Sequence, residues 1–150
     1  MKLSLSWIKD YVAIPENTDL KKLAHDLTMS TVEVEDMEYL ACRFDHMVVG
    51  VIRKIDAHPN ADKLRVCKVD IGGGEIKNIV CGGINLREGM RVAVSCPGAI
   101  VRWHGEGEPV VIKNSKLRGV ESFGMICASD EIGLGDLFPA SQEAEILDLS

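Results

Sequence analysis

Between His46 and Asp130 the chain is cut by glycines, prolines and polar turns into short β-branched segments, a rhythm that rules out most architectures. "MVVGVIRKIDA" is rich in residues that fit a pleated sheet. "HPNADK" then reads as a loop or a single helical turn. In "LRVCKVDI" the apolar phase slips, from Leu64 and Val66 to Val69 and Ile71, which predicts a bulge and a strongly bent strand. "GGG" at 72–74 signals a hairpin turn before the strand "EIKNIVCGG", and "INLREGM" reads as a short helical link. "RVAVSCPGA" alternates Val92, Val94 and Cys96 against Arg91, Ala93 and Ser95. "VRWHGEGEP" reads as an exposed loop, and "VVIKNSKLRG" and "SFGMICASD" supply the last strands. Five or so short, bent strands in about 85 residues predict a small closed or partly open barrel.

The first 41 residues have a different texture. Ser4 or Ser6 can cap a short helix carrying Trp7, Ile8, Tyr11 and Val12, which Pro15 and Asn17 end. Thr18 is placed to cap a second helix with Leu20, Leu23, Ala24 and Leu27 on one face. "STVEVEDM" alternates like a half-buried strand. So short an α+β piece buries little surface alone and is expected to need a neighbour to pack on, with sequence beyond Ser150 as a candidate. The expected organisation is therefore mainly β, with an incomplete α+β segment at 1–41 and a barrel with an acidic return segment at 42–150.

Charge follows the same division. Residues 1–41 hold 4 Lys and Arg against 8 Asp and Glu, residues 42–127 hold 13 against 9, and residues 128–150 hold none against 6. A modestly basic middle thus lies between two acidic ends, although the whole chain carries −6. That balance argues against strong, indiscriminate DNA binding, but a local cationic field can still meet a polyanion. No apolar run approaches the length of a membrane span. Lys9 and Asp10 interrupt the N-terminus before a signal-peptide core develops. Cys42, Cys67, Cys81, Cys96 and Cys127 are odd in number and never form C-x-x-C, which predicts buried free thiols in a reducing cytoplasm.

Catalytic and metal signatures do not assemble. Neither "GGG" nor "CGG" continues into a phosphate-binding loop. His58 has no second ligand at metal spacing and reads as a turn residue; His25, His46 and His104 are scattered. Asp130 and Glu131 are sequence neighbours that would point apart on a strand. What remains is a basic set: Lys63, Arg65 and Lys68 on one strand, and Lys113, Lys116 and Arg118 near another. Cations at strand ends of a small barrel can neutralise phosphates, with Asn85, Ser115 and Ser122 adding hydrogen bonds and Met125 an apolar contact to a base.

Four stretches together resemble the tRNA-binding OB-fold family: "HPNADKLRVCKVDIG", "IVCGGIN", "REGMRVAVSCPGA" and "SKLRGVESFGMICASDEIGL". That module occurs as a stand-alone dimeric tRNA-binding protein, at the C-terminus of some methionyl-tRNA synthetases, and in the endothelial monocyte-activating polypeptide II group. The stretches cover most of residues 46–134. "MKLSLSWIKDYV" followed by "LAHDLTMSTVEVEDME" is similar to the start of bacterial phenylalanyl-tRNA synthetase beta chains, in which the OB barrel is inserted in a small α+β domain. "EAEILDLS" looks like the point where that domain resumes.

The resemblance implies an N-terminal fragment of a longer subunit of an α2β2 ligase. The full enzyme joins phenylalanine to its tRNA using ATP and Mg2+ in the cytoplasm, with the active site in the alpha subunit. It implies no cofactor and no catalytic residue in this fragment. It implies tRNA contacts at Lys116, Arg118, Ser122 and Met125, with Lys63, Arg65 and Asn85 nearby, flanked by "VRWHGEGEP" and the acidic tail. Two other readings keep the fold: a structural or subunit-docking module with little RNA binding, and a stand-alone tRNA-binding protein, which leaves residues 1–41 unexplained.

Overall fold

A computed structural model describes residues 3–150, which divide into two compact units, Met1–Tyr39 and Leu40–Ser150. In the first unit, helix α1 (Leu5–Ile8) is a single turn, and Trp7 meets Tyr11 edge to face with centroids 6.3 Å apart. Helix α2 spans Leu20–Ser30. Its cap is Asp19 rather than Thr18: the Asp19 carboxylate accepts from the Lys21 and Lys22 amides, while the Thr18 hydroxyl donates to the Pro15 carbonyl. A carboxylate at that position also complements the positive end of the helix. The strand expected over "STVEVEDM" does not form; residues 33–39 are irregular, because alternation makes a strand only where a second edge can pair with it. No residue from 3 to 39 is buried.

The second unit opens with α3 (Leu40–Arg43) and then becomes β. A five-stranded antiparallel sheet runs in the order β3-β2-β1-β4-β9, from β1 (Met47–Ala57), β2 (Arg65–Asp70), β3 (Ile76–Cys81), β4 (Arg91–Ser95) and β9 (Met125–Ile126). The long β1 serves two neighbours: Met47–Val51 pair with β4 and Val51–Ala57 with β2. The bulge lies on β1, where Ile52 faces Val69 and Lys54 faces Lys68, leaving Arg53 as the extra residue. The phase slip read in β2 is therefore no break in that strand: its register with β3 is continuous, and Cys67 shares the buried face with Val69.

Two hairpins complete the unit: β5 (Ile100–Arg102) with β6 (Pro109–Val111), and β7 (Ser115–Leu117) with β8 (Val120–Ser122). The stretch "VRWHGEGEP" is thus largely structured, running from β5 through a 3-10 turn at Trp103–Gly105 into β6. Residues 82–90 make bends and a turn, not a helical link. The segment joining β8 to β9 returns to β3. The Phe123 amide donates to the Asn78 carbonyl at 2.9 Å, and the Val80 amide donates to Ser122 Oγ at 3.0 Å. These bonds bring the two ends of the sheet almost to closure, giving an OB-like barrel.

Strand β4 explains the core. Its alternation predicted one buried face, yet Val92, Ala93, Val94 and Ser95 are all buried. Val92 and Val94 join Ile52, Cys67, Val69, Ile79, Met90 and Ile126 inside the barrel. Ala93 faces a second cluster containing Ala99, Val101, Ile112, Cys127, Ile132 and Leu147. The acidic tail supplies that outer layer: Leu147 donates to the Cys127 carbonyl, Leu149 donates to Arg91, and Asp148 bridges to Val92. Gly124 lets β4 and β9 approach, since a Cβ there would collide with the Ser95 carbonyl. Of the cysteines expected to be buried, Cys42 is exposed and Cys96 is only partly buried.

Candidate nucleic-acid interface

The loop between β1 and β2 and the tip of the β7–β8 hairpin are far apart in sequence but are bonded together. His58 is buried and sits where β1 ends. Its Nδ1 accepts from the Asn60 amide at 3.1 Å, and its Nε2 lies 3.1 Å from the Leu117 carbonyl. A ring nitrogen that accepts carries no hydrogen, so the proton sits on Nε2 and is donated to Leu117. Asn60 Nδ2 donates to the next carbonyl, that of Arg118, at 2.9 Å. Proline at 59 and the polar residues around it make the chain turn here, which aims both side chains at the hairpin.

This junction gathers four of the residues singled out in the sequence. Lys63 and Arg65 are exposed on the loop and at the start of β2; Lys116 and Arg118 are exposed on the hairpin. Lys63 lies in the turn before β2, not on the strand. One guanidinium nitrogen of Arg65 donates to the Asp62 and Leu64 carbonyls at 2.9 and 3.0 Å, which ties the side chain to its loop and leaves its other donors outward. None of the four has a carboxylate within ion-pair distance among the described residues, although Glu121 stands opposite Lys116 across the hairpin.

Four other cations of this unit are in ion pairs, whereas exposed Lys68 and Lys113 are, like the rim, without a carboxylate within ion-pair distance among the described residues. Arg53 pairs with Asp70, Lys54 with Asp56, Lys77 with Glu75 and Arg87 with Asp148, at 2.6 to 2.8 Å. Each carboxylate is held below its usual range by the hydrogen bond from its cationic partner. Pairing cancels much of the field around those four, while the rim at 63, 65, 116 and 118 keeps its charge although the region's net charge is small. A cleft of about 490 Å3 lies between β3 and the hairpin, lined by Lys77, Asn78, Asn114, Lys116, Glu121 and Phe123. A larger cleft of about 740 Å3 lies elsewhere on the unit. Glu106, Asp130, Glu131 and Asp136 line it together with Arg43, Arg102 and His104, a balance less favourable to phosphate. Burial raises the Glu131 carboxyl there, against the Ala128 amide that donates to it.

Three expected contact residues have other tasks. Asn85 binds the backbone of Ile146 twice, accepting from its amide and donating to its carbonyl, both at 2.9 Å. Ser122 is buried, accepting from Val80 and donating to the Gly124 carbonyl at 2.9 Å, because the barrel closes through it. Met125 is half-buried on β9 and packs against the second apolar cluster. Conversely, the organising roles of His58 and Asn60 went unread. "HPN" signals a turn, but nothing local says which distant carbonyls its side chains will meet.

Residues 47–148 match the family described as "Putative tRNA binding domain". The chain belongs to that family. It is also similar to the phenylalanine–tRNA ligase beta subunit of Cupriavidus pinatubonensis, at 43% identity over 137 residues, 91% of this chain and 17% of that protein. The beta subunit of Neisseria meningitidis matches at 42% over 136 residues, 91% and 16% of the two chains. That of Synechococcus matches at 46% over 134 residues, 89% and 16%. The chain therefore spans only 16–17% of the length of these curated relatives. The matched family segment includes His58, Asn60 and all four rim cations, and the ligase relatives match over about nine-tenths of the chain.

Proposed function

We propose that this chain is the tRNA-binding part of a phenylalanine–tRNA ligase beta subunit, and that its barrel holds tRNA through backbone phosphates. The observation that carries this is the convergence of Lys63, Arg65, Lys116 and Arg118, unpaired by carboxylates, on two elements bonded to each other in a member of the tRNA-binding family. Contacts of this kind recognise the charge and shape of folded RNA and carry little base information. The contribution to the ligase is then to help retain and orient tRNA while aminoacylation proceeds elsewhere.

The whole enzyme would be cytoplasmic, pair this subunit with an alpha subunit in an α2β2 assembly, and use ATP and Mg2+. Among the described residues no three His, Cys, Asp or Glu side chains converge as a metal-ligand set, and no step of nucleotide chemistry is assigned to them. No described helix is long and apolar enough to cross a membrane. A docking role for the same unit draws support from the outward Ile100–Val111 pair on β5–β6, 58% and 50% exposed. Titrating labelled tRNA with the 150-residue chain at low salt separates the two: binding that weakens with added salt supports the phosphate rim, and absence of binding supports docking.

A further inference from the structure

We propose that His58 is the positioning residue of the cationic rim, acting through the hairpin carbonyls that it and Asn60 hold; this inference rests on the tRNA-binding reading above. Leu117 faces Val120 across the hairpin, so Arg118 and Gly119 form a two-residue turn with φ of 45° and 97°. Both central residues are left-handed, a turn that Asn-Gly makes readily and Arg-Gly does not. Arginine there carries backbone strain, and its surroundings must hold it in place. Three hydrogen bonds do the holding. His58 Nε2 binds the Leu117 carbonyl, Asn60 Nδ2 binds the Arg118 carbonyl, and His58 Nδ1 fixes Asn60 through its amide.

One buried imidazole thus joins the loop bearing Lys63 and Arg65 to the strained tip bearing Arg118 and the strand bearing Lys116. It contributes no charge to RNA itself. Its effect is to fix the spacing of two pairs of cations before RNA arrives, which removes an ordering cost from binding.

Side-chain geometry supplies the test. Glutamine keeps a donor near the Nε2 position and loses the Nδ1 acceptor. Asparagine keeps an acceptor near Nδ1 and is too short to reach Leu117. In tRNA titrations of the 150-residue chain, His58→Ala and His58→Asn are expected to weaken binding about fivefold, one hydrogen bond's worth of preorganisation. His58→Gln should stay within twofold of the parent. Lys116→Ala should cost less in the His58→Ala background than in the parent, because a released hairpin no longer presents Lys116 in register. Amide hydrogen exchange should quicken in residues 115–122 while core amides such as Val94 stay protected.

If His58→Ala does not fold, Asn60→Ala serves instead. It removes only an exposed side chain's bond to Arg118 and should show the same non-multiplicative loss with Lys116→Ala. Parent-like binding by His58→Ala, equal loss in the glutamine variant, or simple multiplication with Lys116→Ala would each overturn the proposal. A parent chain that binds tRNA while these variants behave so refutes this inference alone. A parent chain that binds no tRNA refutes the functional reading with it.

Discussion

Replacing Lys116 and Arg118 together by alanine removes the hairpin's half of the rim and leaves Lys63 and Arg65 on their loop. All four side chains are exposed and, among the described residues, have no carboxylate within ion-pair distance, so each can displace one counterion from RNA. One phosphate per cation gives a log–log salt slope of about −3 for the parent chain, between the single-strand and duplex coefficients. Binding should then weaken about 60-fold between 50 and 200 mM salt in the parent, but only about eightfold in the double variant, whose slope is halved to about −1.5. Neither side chain packs in the core, so the melting temperature should hardly move. The assay is a fluorescence titration of labelled tRNA at four or more salt concentrations, repeated with tRNAs of different sequence. An unchanged slope in the double variant would remove these residues from the interface. A loss confined to one tRNA would show that the hairpin reads bases.

Four further outcomes follow from the geometry. Asn85→Ala should cost about 1–3 kcal/mol by unpairing the Ile146 backbone from the barrel. Lower tRNA affinity with unchanged melting would restore Asn85 to the interface. Gly124→Ala drives a methyl group into the Ser95 carbonyl and should cost about 1–3 kcal/mol. A melting point equal to that of the parent would show that β4 and β9 are not packed this closely. Burial pushes the thiols of Cys67, Cys81 and Cys127 up to about 12, about 11 and about 12. Exposed Cys42 should therefore be alkylated at once at pH 8, while those three wait for denaturant. Their folded values lie above the ordinary value near 9, so the unfolded chain releases its protons first. Stability should be steady below about pH 9 and fall from there toward pH 11. A flat stability profile across that window would contradict the burial.

Several elements were legible because their signals are local. The "GGG" hairpin is one: Glu75 and Gly72 bond across it, as the glycines promised. The strands around Val49, Val69, Ile79 and Val94 are others, since branched residues between turn signals specify extended backbone. The failures share a different cause. "STVEVEDM" carries a strand pattern, yet backbone pairing needs an edge, and none is offered to it among the described residues. In β2 the apparent slip came from Val66, half-buried on the far face, while the irregularity lay across the ladder at Arg53. Ser122 has the chemistry of a contact residue, but closing the barrel buries it, while Met125 on β9 is left half-buried.

From its residues alone this chain commits to a short-stranded β unit with turns at known places, and to a basic middle between acidic ends. Those properties depend on φ/ψ preference and composition, which act over a few residues. Folding in three dimensions alone decides that the loop at 58–65 meets the tip at 117–119, that Arg53 and Arg87 are paired with Asp70 and Asp148, and that the loop's Lys63 and Arg65 stand beside the hairpin's Lys116 and Arg118. The junction rests on hydrogen bonds between residues more than fifty positions apart, and no local pattern encodes which of them will close.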